Sequence, residues 1–376
     1  MPARPRLLVV EGALRDNGGL RISHDFAFRW TREGHRVRFL VLEAVADGPG
    51  VFTPEPELDV VFASPRPGRF RRTAPRILAE TFGQVRRADV VVSGSEVGYQ
   101  LLFGWLATRV LRKRFVMLVQ SRLPDAVAAW TPGRLRPLLS FVHRRVDAAV
   151  CVSPGLVPDV LAAGVPAERI HVARVGIDSD EVLRRAGRDG GPERGSRPRI
   201  VAVGRLARQK GFDVLLDAFA RARGAGLDAE LVVVGEGEER EALEAQAAEL
   251  GVADRVHLPG HVPDAQTIIA GADLFVLSSR YEGLGLVLLE ALAHGVPVIA
   301  TDCPTGPRHV LDDGRHGELV PVEDADALGR AIRRHFERPQ DRRGGGVPSQ
   351  QRARTFDQAA AAEDLAAYLE SLASTG

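Results

Sequence analysis

Short apolar runs recur along the whole chain, and most are separated by amphipathic segments of helical length. A run with no polar residue at alternate positions belongs in a strand buried on both faces, as in a parallel sheet covered by helices on either side. In the first half these runs are RLLVVEG, HRVRFLVLE, LDVVFA, DVVVSG, RFVMLV, DAAVCVS and RIHVARVG, with helical patterns such as RISHDFAFRWTREG between them. The stretch RRAGRDGGPERGSRPR, rich in Gly, Arg and Pro, reads as a linker. A second series follows it: RIVAVG, AELVVVG, RVHLPG, DLFVLSS and PVIAT. Another loose stretch, ERPQDRRGGGVPSQQ, precedes a last helical pattern, FDQAAAAEDLAAYLESLA. The alternation predicts an α/β protein with two Rossmann-like domains, residues 1–183 and 199–350, joined by a linker at 184–198 and closed by a helix within 351–376. Ligands of such sheets bind at the carboxyl ends of the strands, and two domains facing each other form a cleft.

Bulk properties narrow the class. The 376 residues accommodate two domains, and 45% apolar with 26% charged residues is the composition of a folded globular protein. No window approaches the uncharged apolar length that a membrane-spanning helix needs. The opening MPARPRLLVVEG carries only a short apolar run without a small-residue cleavage site, so a secretory signal is not expected. Two cysteines, Cys151 and Cys303, fit a reducing compartment, and the expectation is a cytoplasmic protein. No His/Cys cluster has metal-ligand spacing, so neither a metal nor another cofactor is expected.

The net charge of +1 is unevenly distributed. Residues 1–180 hold 26 Lys and Arg against 18 Asp and Glu, or +8, and the remainder holds 24 against 31, or −7. The basic first half permits peripheral contact with anionic lipid at the inner face of the cell membrane, or with an anionic acceptor; a solvated surface accounts for it equally well. Its arginines are scattered and not interleaved with aromatics, which argues against a nucleic-acid partner.

Of the 50 basic residues only Lys113 and Lys210 are lysines. Lys210 stands in GRLARQKGFDVLLDAF, where a strand ends near Gly204 and a helix begins near Gly211. In a chain that otherwise uses arginine, a lysine here points to a need for a compact point charge. Arg205 and Lys210 at the start of a helix make an anion site, because unpaired N–H groups and the helix dipole act in the same direction. A diphosphate fits. A second segment, RYEGLGLVLLEALAHG, is almost wholly apolar yet carries Glu282 and Glu290. Gly283 and Gly285 let the backbone approach a ligand, and the N–H groups of Leu286 and Val287 open the next helix. Glu290 lies on the side of that helix that holds Leu286. A carboxylate so placed accepts paired hydrogen bonds from vicinal hydroxyls, so Glu290 suits a ribose and Glu282 a hexose, unless both form structural salt bridges.

Taken in order, GRLARQKGFDVLLDAF, VGEGEERE, HLPGHV, RYEGLGLVLLEALAHGVPVIATD and GPRHVLDDGRHGELV resemble the retaining glycosyltransferases of family 4. The resemblance is dense over residues 200–325, and VEGALRDNGGLRISHDFAFRWTREGHRVRFL and HVARVGIDSD extend it into the first half. It implies the GT-B fold, two facing Rossmann-like domains with a C-terminal helix crossing back to the first. It also implies transfer of a hexose or N-acetylhexosamine, with retention, from a nucleoside-diphosphate sugar to a hydroxyl of an acceptor sugar, a lipid-linked sugar or a small molecule. TDCPTGPRHVL resembles members that build exopolysaccharides or transfer N-acetylhexosamines. On this resemblance the catalytic residues are Arg205, Lys210 and Glu282. Donor contacts come from Gly18 and Gly19, facing the diphosphate across the cleft, from Gly283, Leu284, Gly285, Leu286 and Val287 through backbone, and from Glu290 at the ribose. Backbone from Leu258 to His261 would meet the base.

Two departures stand out. The family's cleft histidine after the strand RFVMLV is missing from QSRLPDAV, where Arg122 or Asp125 would take the space, and Leu284 replaces a phenylalanine. His24, on the first helix, reads as structural. The alternatives are a nucleotide-sugar 2-epimerase of similar fold and a catalytically silent partner subunit. VVVGEGEERE lacks the third glycine of a dinucleotide fingerprint, and its glutamates would repel a pyrophosphate. The acid pairs Asp178/Asp180 and Asp324/Asp326 look like a metal-holding motif but adjoin a linker and a helix start.

Overall fold

The computed structural model describes residues 4–15, 17–45, 51–66, 70–186, 197–337 and 345–374, with no account of the side chains of residues 70 and 71. Most of the expected linker lies outside the described residues. The chain divides into two compact units, residues 1–175 with 359–376, and residues 176–358.

Unit 1 holds a seven-stranded parallel sheet: β1 (Arg6–Ala13), β2 (Arg36–Glu43), β3 (Val60–Ser64), β4 (Val90–Ser93), β5 (Arg114–Val119), β6 (Ala148–Cys151) and β7 (Ile170–Val172). The strand order is β3-β2-β1-β4-β5-β6-β7. Its helices are α1 (Gly18–Arg32), α2 (Phe70–Arg87), α3 (Gly98–Leu111), α4 (Leu123–Trp130), α5 (Arg136–His143) and α6 (Val157–Ala162). Unit 2 begins with α7 (Ser179–Arg185) and continues with β8 (Arg199–Val203), α8 (Phe212–Gly224), β9 (Glu230–Val234), α9 (Arg240–Glu249) and β10 (Val256–Gly260). It runs on through α10 (Gln266–Ala270), β11 (Leu274–Leu277), α11 (Leu286–Ala293), β12 (Val298–Thr301), α12 (Pro307–Val310), β13 (Glu318–Val320), α13 (Ala325–Glu337) and α14 (Gly346–Arg354). Its parallel sheet has the order β10-β9-β8-β11-β12-β13.

All twelve strands expected from the sequence form. The thirteenth, β13, is an edge strand of three residues, too short to leave an apolar run of its own. The last helix, α15 (Gln358–Ser374), packs on unit 1. Trp30, fully buried in α1, donates its indole N–H to Ala362 O at 2.8 Å, and His171 of β7 stacks on Tyr368 while its Nε2 lies 3.0 Å from Asp364 Oδ2. The segment 176–183, expected in the first domain, belongs to unit 2, because α7 packs on α10 and α11. Residues 351–358 likewise stay in unit 2, where α14 packs on α11.

Both cores follow from burial on both faces of each strand. Val90, Val91, Phe115, Val116 and Met117 in unit 1, and Ile200, Val201, Leu231, Leu274 and Phe275 in unit 2, are fully buried. In unit 2, Leu215, Phe219, Leu328 and Ile332 seat α8 and α13 on the sheet.

Unit 1 also buries carboxyl groups. Glu11 of β1 accepts the Ser23 hydroxyl, and Glu96, after β4, accepts the Ser121 hydroxyl and the Gln120 backbone N–H (3.2 Å). A side chain at Gly94 would run into the Glu11 carboxylate, its Cβ falling 1.7 Å from Oε1. Burial pushes the Glu11 carboxyl up from 4.5 to about 7, against the opposing effect of the Ser23 hydrogen bond, and burial also raises Glu96. A carboxyl raised in the folded state favours folding below its unfolded value of 4.5, and that contribution is lost as pH rises through about 7. Glu11→Gln is therefore expected to gain stability relative to the parent by on the order of 3 kcal/mol between about pH 4 and about pH 8, read by urea unfolding. A pH-independent difference would show that Glu11 titrates alike in the folded and unfolded chain, and that burial does not raise it.

Candidate functional site

In unit 2 the strand order reverses between β8 and its neighbour β11: from β8 the chain winds outward through β9 and β10, and from β11 it winds the other way through β12 and β13. The loops leaving two adjacent strands at such a reversal part to opposite sides and leave an opening at the carboxyl edge, the usual ligand position in open α/β sheets. The two segments singled out from the sequence are these two loops.

They are laced together. Arg280 N donates to Gln209 O (2.8 Å), the Gln209 side-chain amide to Tyr281 O (3.0 Å), and the Ser278 hydroxyl to Lys210 O (2.8 Å). Gly211, at φ 62°, makes the turn into α8, and a Cβ there would lie 2.2 Å from Ser278 O. The loop after β8 is also tied to the loop after β9, with Leu206 N donating to Glu236 O (2.8 Å) and Glu239 N to Leu206 O (3.0 Å).

The lacing brings Lys210 and Glu282 together. Lys210 Nζ lies 2.6 Å from Glu282 Oε1, with side chains 18% and 7% exposed. The Ser279 hydroxyl donates to the same oxygen at 2.6 Å. Both donors fall on Oε1, and among the described residues Oε2 has no hydrogen-bond partner. The Glu282 carbonyl accepts the Thr305 hydroxyl, which draws the loop after β12 against the turn. Thr301 ties the base of that loop down by donating to Ser279 O at 2.5 Å. Gly283, Leu284 and Gly285 are buried; Gly285, at φ 84°, caps α11. Leu286, Val287 and Glu290 are half-buried, with Glu290 one turn beyond Leu286. Arg205 is exposed.

Arg280 holds this arrangement to the body of unit 2. Its guanidinium grips both oxygens of Asp213 in the first turn of α8 (2.8 and 2.7 Å), reaches Glu323 before α13 (3.0 Å) and donates to Arg208 O (2.6 Å). The hydrogen bonds to Asp213 and Glu323 raise Arg280 above its ordinary value; burial alone would raise Asp213, but the Arg280 bonds overcome it and hold that carboxylate low. Cys303 lies nearby as an inert thiol, pushed up to about 12 by burial and by the Glu282 charge.

The sequence did not single out Arg280, Ser279, Thr301 or Thr305; the quoted RYEG and TDCPTGPRH motifs contain three of them, but their partners are distant in sequence. Leu258 O, expected at a base, is taken by the Arg240 guanidinium (3.0 and 3.3 Å), which also pairs with Glu236 and Glu244. Asp178 and Asp324 cap α7 and α13, and among the described residues no acid cluster has the arrangement of a metal site. A groove of about 1110 Å³ beside β13 is lined by Arg280, Asp302, Arg308, Glu318 and Arg334 among others, but by none of Lys210, Glu282 or Glu290.

In unit 1, Gly18 and Gly19 form the first turn of α1, capped by Asn17, whose side chain accepts Leu20 N–H at 3.0 Å. The Gln120 amide donates to Gly19 O (2.9 Å) and Gly94 O (3.0 Å) and so supports that turn; Arg122, expected in the missing histidine's space, pairs with Asp125 and Asp159. His24 is buried among Phe28, Phe39 and Phe52 and accepts Glu55 N–H at 3.2 Å, a structural role.

Comparison with known proteins assigns the family. The model for glycosyl transferases group 1 matches residues 197–338, and that for glycosyltransferase family 4 matches residues 17–181. The MMP alpha-(1->4)-mannosyltransferase of Mycolicibacterium hassiacum is 30% identical over 330 residues, covering 82% of this chain and 76% of that one. The chain belongs to glycosyltransferase family 4. Another family relative, the lipopolysaccharide core biosynthesis glycosyltransferase LpsE of Rhizobium meliloti, is 33% identical over 234 residues, or 57% of this chain. The chain spans about two-thirds of that relative's length, 66%. The Anabaena protein HepE in complex with UDP and glucose superposes with a TM-score of 0.80 at 19% identity, covering 97% of this chain and 99% of that one, which establishes the GT-B fold. These relatives are named as sugar-transferring enzymes, which disfavours the epimerase alternative.

In this family 4 chain, Arg280→Ala is expected to lower stability by on the order of 1–2 kcal/mol, because it removes a largely buried guanidinium that bonds Asp213, Glu323 and Arg208 O, while both acids, about half exposed, regain water. Arg308→Ala, which breaks exposed pairs with Asp302 and Asp313, should leave the unfolding midpoint nearly unchanged. Equal effects would mean that Arg280 has no clamping role.

Proposed function

We propose that this protein transfers a hexose or N-acetylhexosamine, with retention, from a nucleoside-diphosphate sugar to an acceptor hydroxyl. The observation that carries the reading is the Lys210–Glu282 pair at the strand reversal of unit 2, with the first turn of α11 beside it. Glu282 Oε2 is directed by two bonds on its sister oxygen and is suited to accept hydroxyls of the transferred sugar. Lys210, with the exposed Arg205, supplies positive charge for the diphosphate as it leaves, which is electrostatic catalysis aimed at the developing charge. Backbone from Gly283 to Val287 serves the phosphate and sugar, and Glu290 the ribose hydroxyls. In unit 1 the open first turn of α1, Gly18 and Gly19, offers N–H groups to a phosphate of the substrate.

In the step itself the acceptor oxygen bonds to the anomeric carbon on the face from which the diphosphate departs. The departing phosphate oxygen takes the acceptor's proton, so no protein base is needed and the missing cleft histidine is no obstacle. HepE was crystallised with UDP and glucose, which supports a nucleoside-diphosphate sugar as donor here. The lipopolysaccharide enzyme among the relatives supports a lipid-linked sugar as acceptor.

Lys210→Ala and Glu282→Ala are each expected to lower turnover by roughly 10²–10³, measured as nucleoside diphosphate released in the presence of acceptor. Because each single change strands its partner, the double variant Lys210→Met/Glu282→Gln should bind nucleoside diphosphate better than the two single losses combined would predict. Near-normal transfer in both single variants would sink the reading. Glu290→Ala should raise the donor KM and leave kcat largely intact, since a ribose contact is made equally before and during transfer.

A further inference from the structure

Helix α3 has the sequence GYQLLFGWLATRVL, apolar nearly all round. A helix of that kind is normally buried on every side. Here only Leu101, Gly104, Ala107 and Thr108 are buried, against the sheet and its neighbours. The opposite face reaches solvent: Tyr99 is 41% exposed, Leu106 41% and Val110 61%. They share a stripe with half-buried Phe103 at i, i+4, i+7 and i+11.

The apolar surface continues onto neighbouring elements. Trp105 meets Phe141 of α5 edge-on at 5.8 Å and donates to Arg145 O at 3.4 Å. Leu138 and Phe141 of α5 and Trp130 at the end of α4 are each more than 40% exposed. Arg136 joins the two helices by donating to Thr131 O and Ala128 O.

This surface is also where the positive charge of the first half is concentrated. From Gly98 to Arg145 there are eight arginines and one lysine against a single acid, Asp125; Arg109, Lys113, Arg114 and Arg122 are paired with Asp147, Asp89 and Asp159, which leaves Arg112, Arg134, Arg136, Arg144 and Arg145 without an acidic partner among the described residues. Arg112, Arg134, Arg144 and Arg145, at or near the ends of these helices, are exposed, and the Arg145 guanidinium rides 3.9 Å over the Phe141 ring. Long arginine stems lying along apolar rings with their heads at the rim are the arrangement of a snorkelling interface. Exposed Trp and Tyr beside aliphatic side chains match the headgroup boundary of a bilayer, and five arginines without acidic partners match an anionic leaflet. Among the described residues no helix is long and apolar enough to cross a membrane, so the contact is with a membrane surface.

We propose that the face built from α3, the end of α4 and α5 seats unit 1 on an anionic phospholipid bilayer, with Leu106, Val110, Trp130, Leu138 and Phe141 entering the headgroup region and the surrounding arginines engaging lipid phosphates. The charge excess decides between occupants: a second copy of the chain would bring the same arginines into repulsion, whereas anionic lipid neutralises them.

Cosedimentation of the full chain with vesicles tests this, using phosphatidylcholine alone and phosphatidylcholine mixed with phosphatidylglycerol, without donor. Retention on the mixed vesicles that is lost on raising the salt is the expected result. Arg134→Gln with Arg144→Gln should lower the partition coefficient about 25-fold, at about fivefold for each charge removed. Leu106→Ser with Val110→Ser should lower it at unchanged charge, and Trp130→Ser, on a separate helix, provides a second apolar test should the α3 pair lower the melting temperature. All of these variants should keep the parent affinity for nucleoside diphosphate, which separates this face from the donor reading. Equal recovery with both vesicle types, or partition unaffected by the substitutions, would overturn the proposal. So would a concentration-dependent dimer in light scattering that the α3 substitutions dissolve, since that assigns the face to a second copy.

Discussion

The reversal of strand order between β8 and β11 is the constraint from which the candidate site follows. A doubly wound parallel sheet must turn its connections to opposite sides at one place, and only there do two neighbouring strands leave their carboxyl ends uncovered. The chain puts a cationic loop, with Arg205 and Lys210, on one of these strands and its glycine-rich turn with Glu282 on the other. Hydrogen bonds between the two loops then close the remaining distance, until a lysine and a glutamate 72 residues apart share a hydrogen bond.

Electrostatics makes this arrangement tolerable in the absence of substrate. A carboxylate as buried as Glu282 is costly alone, and Lys210 with Ser279 meets that cost through a single oxygen. Arg280 likewise pairs with Asp213 and Glu323, whose carboxylates are about half exposed, so the charges beside the site are matched. Unit 1 uses a different solution at the corresponding edge of its sheet. Glu11 and Glu96 are buried with hydroxyl partners, and burial raises both. Gln120 supports the Gly18–Gly19 turn with a neutral amide that donates two hydrogen bonds.

The same unit carries the apolar and basic face of α3 and α5. The sequence registered its charge only as an average over 180 residues. It took the fold to gather those arginines around exposed aromatics, because α3 and α5 are separated by β5 and α4 along the chain and touch only in three dimensions.

What the sequence determined by itself was the set of elements and the identity of the two site loops. Runs such as IVAV and LFVL can be satisfied only as strands buried on both faces, and a rare lysine and an acid in an apolar segment mark themselves by their cost. It did not determine β13, whose three residues carry no periodicity, or the places where the chain passes from one compact unit to the other, which depend on α7 and α14 finding their packing partners. Nor did it determine that Lys210 and Glu282 are each other's partners, that Arg280 clamps three segments, or that Gln120 supports the glycine turn. Each of those is a contact between residues far apart in the chain, and burial and hydrogen-bond geometry at such contacts exist only once the sheets have set which loops lie side by side.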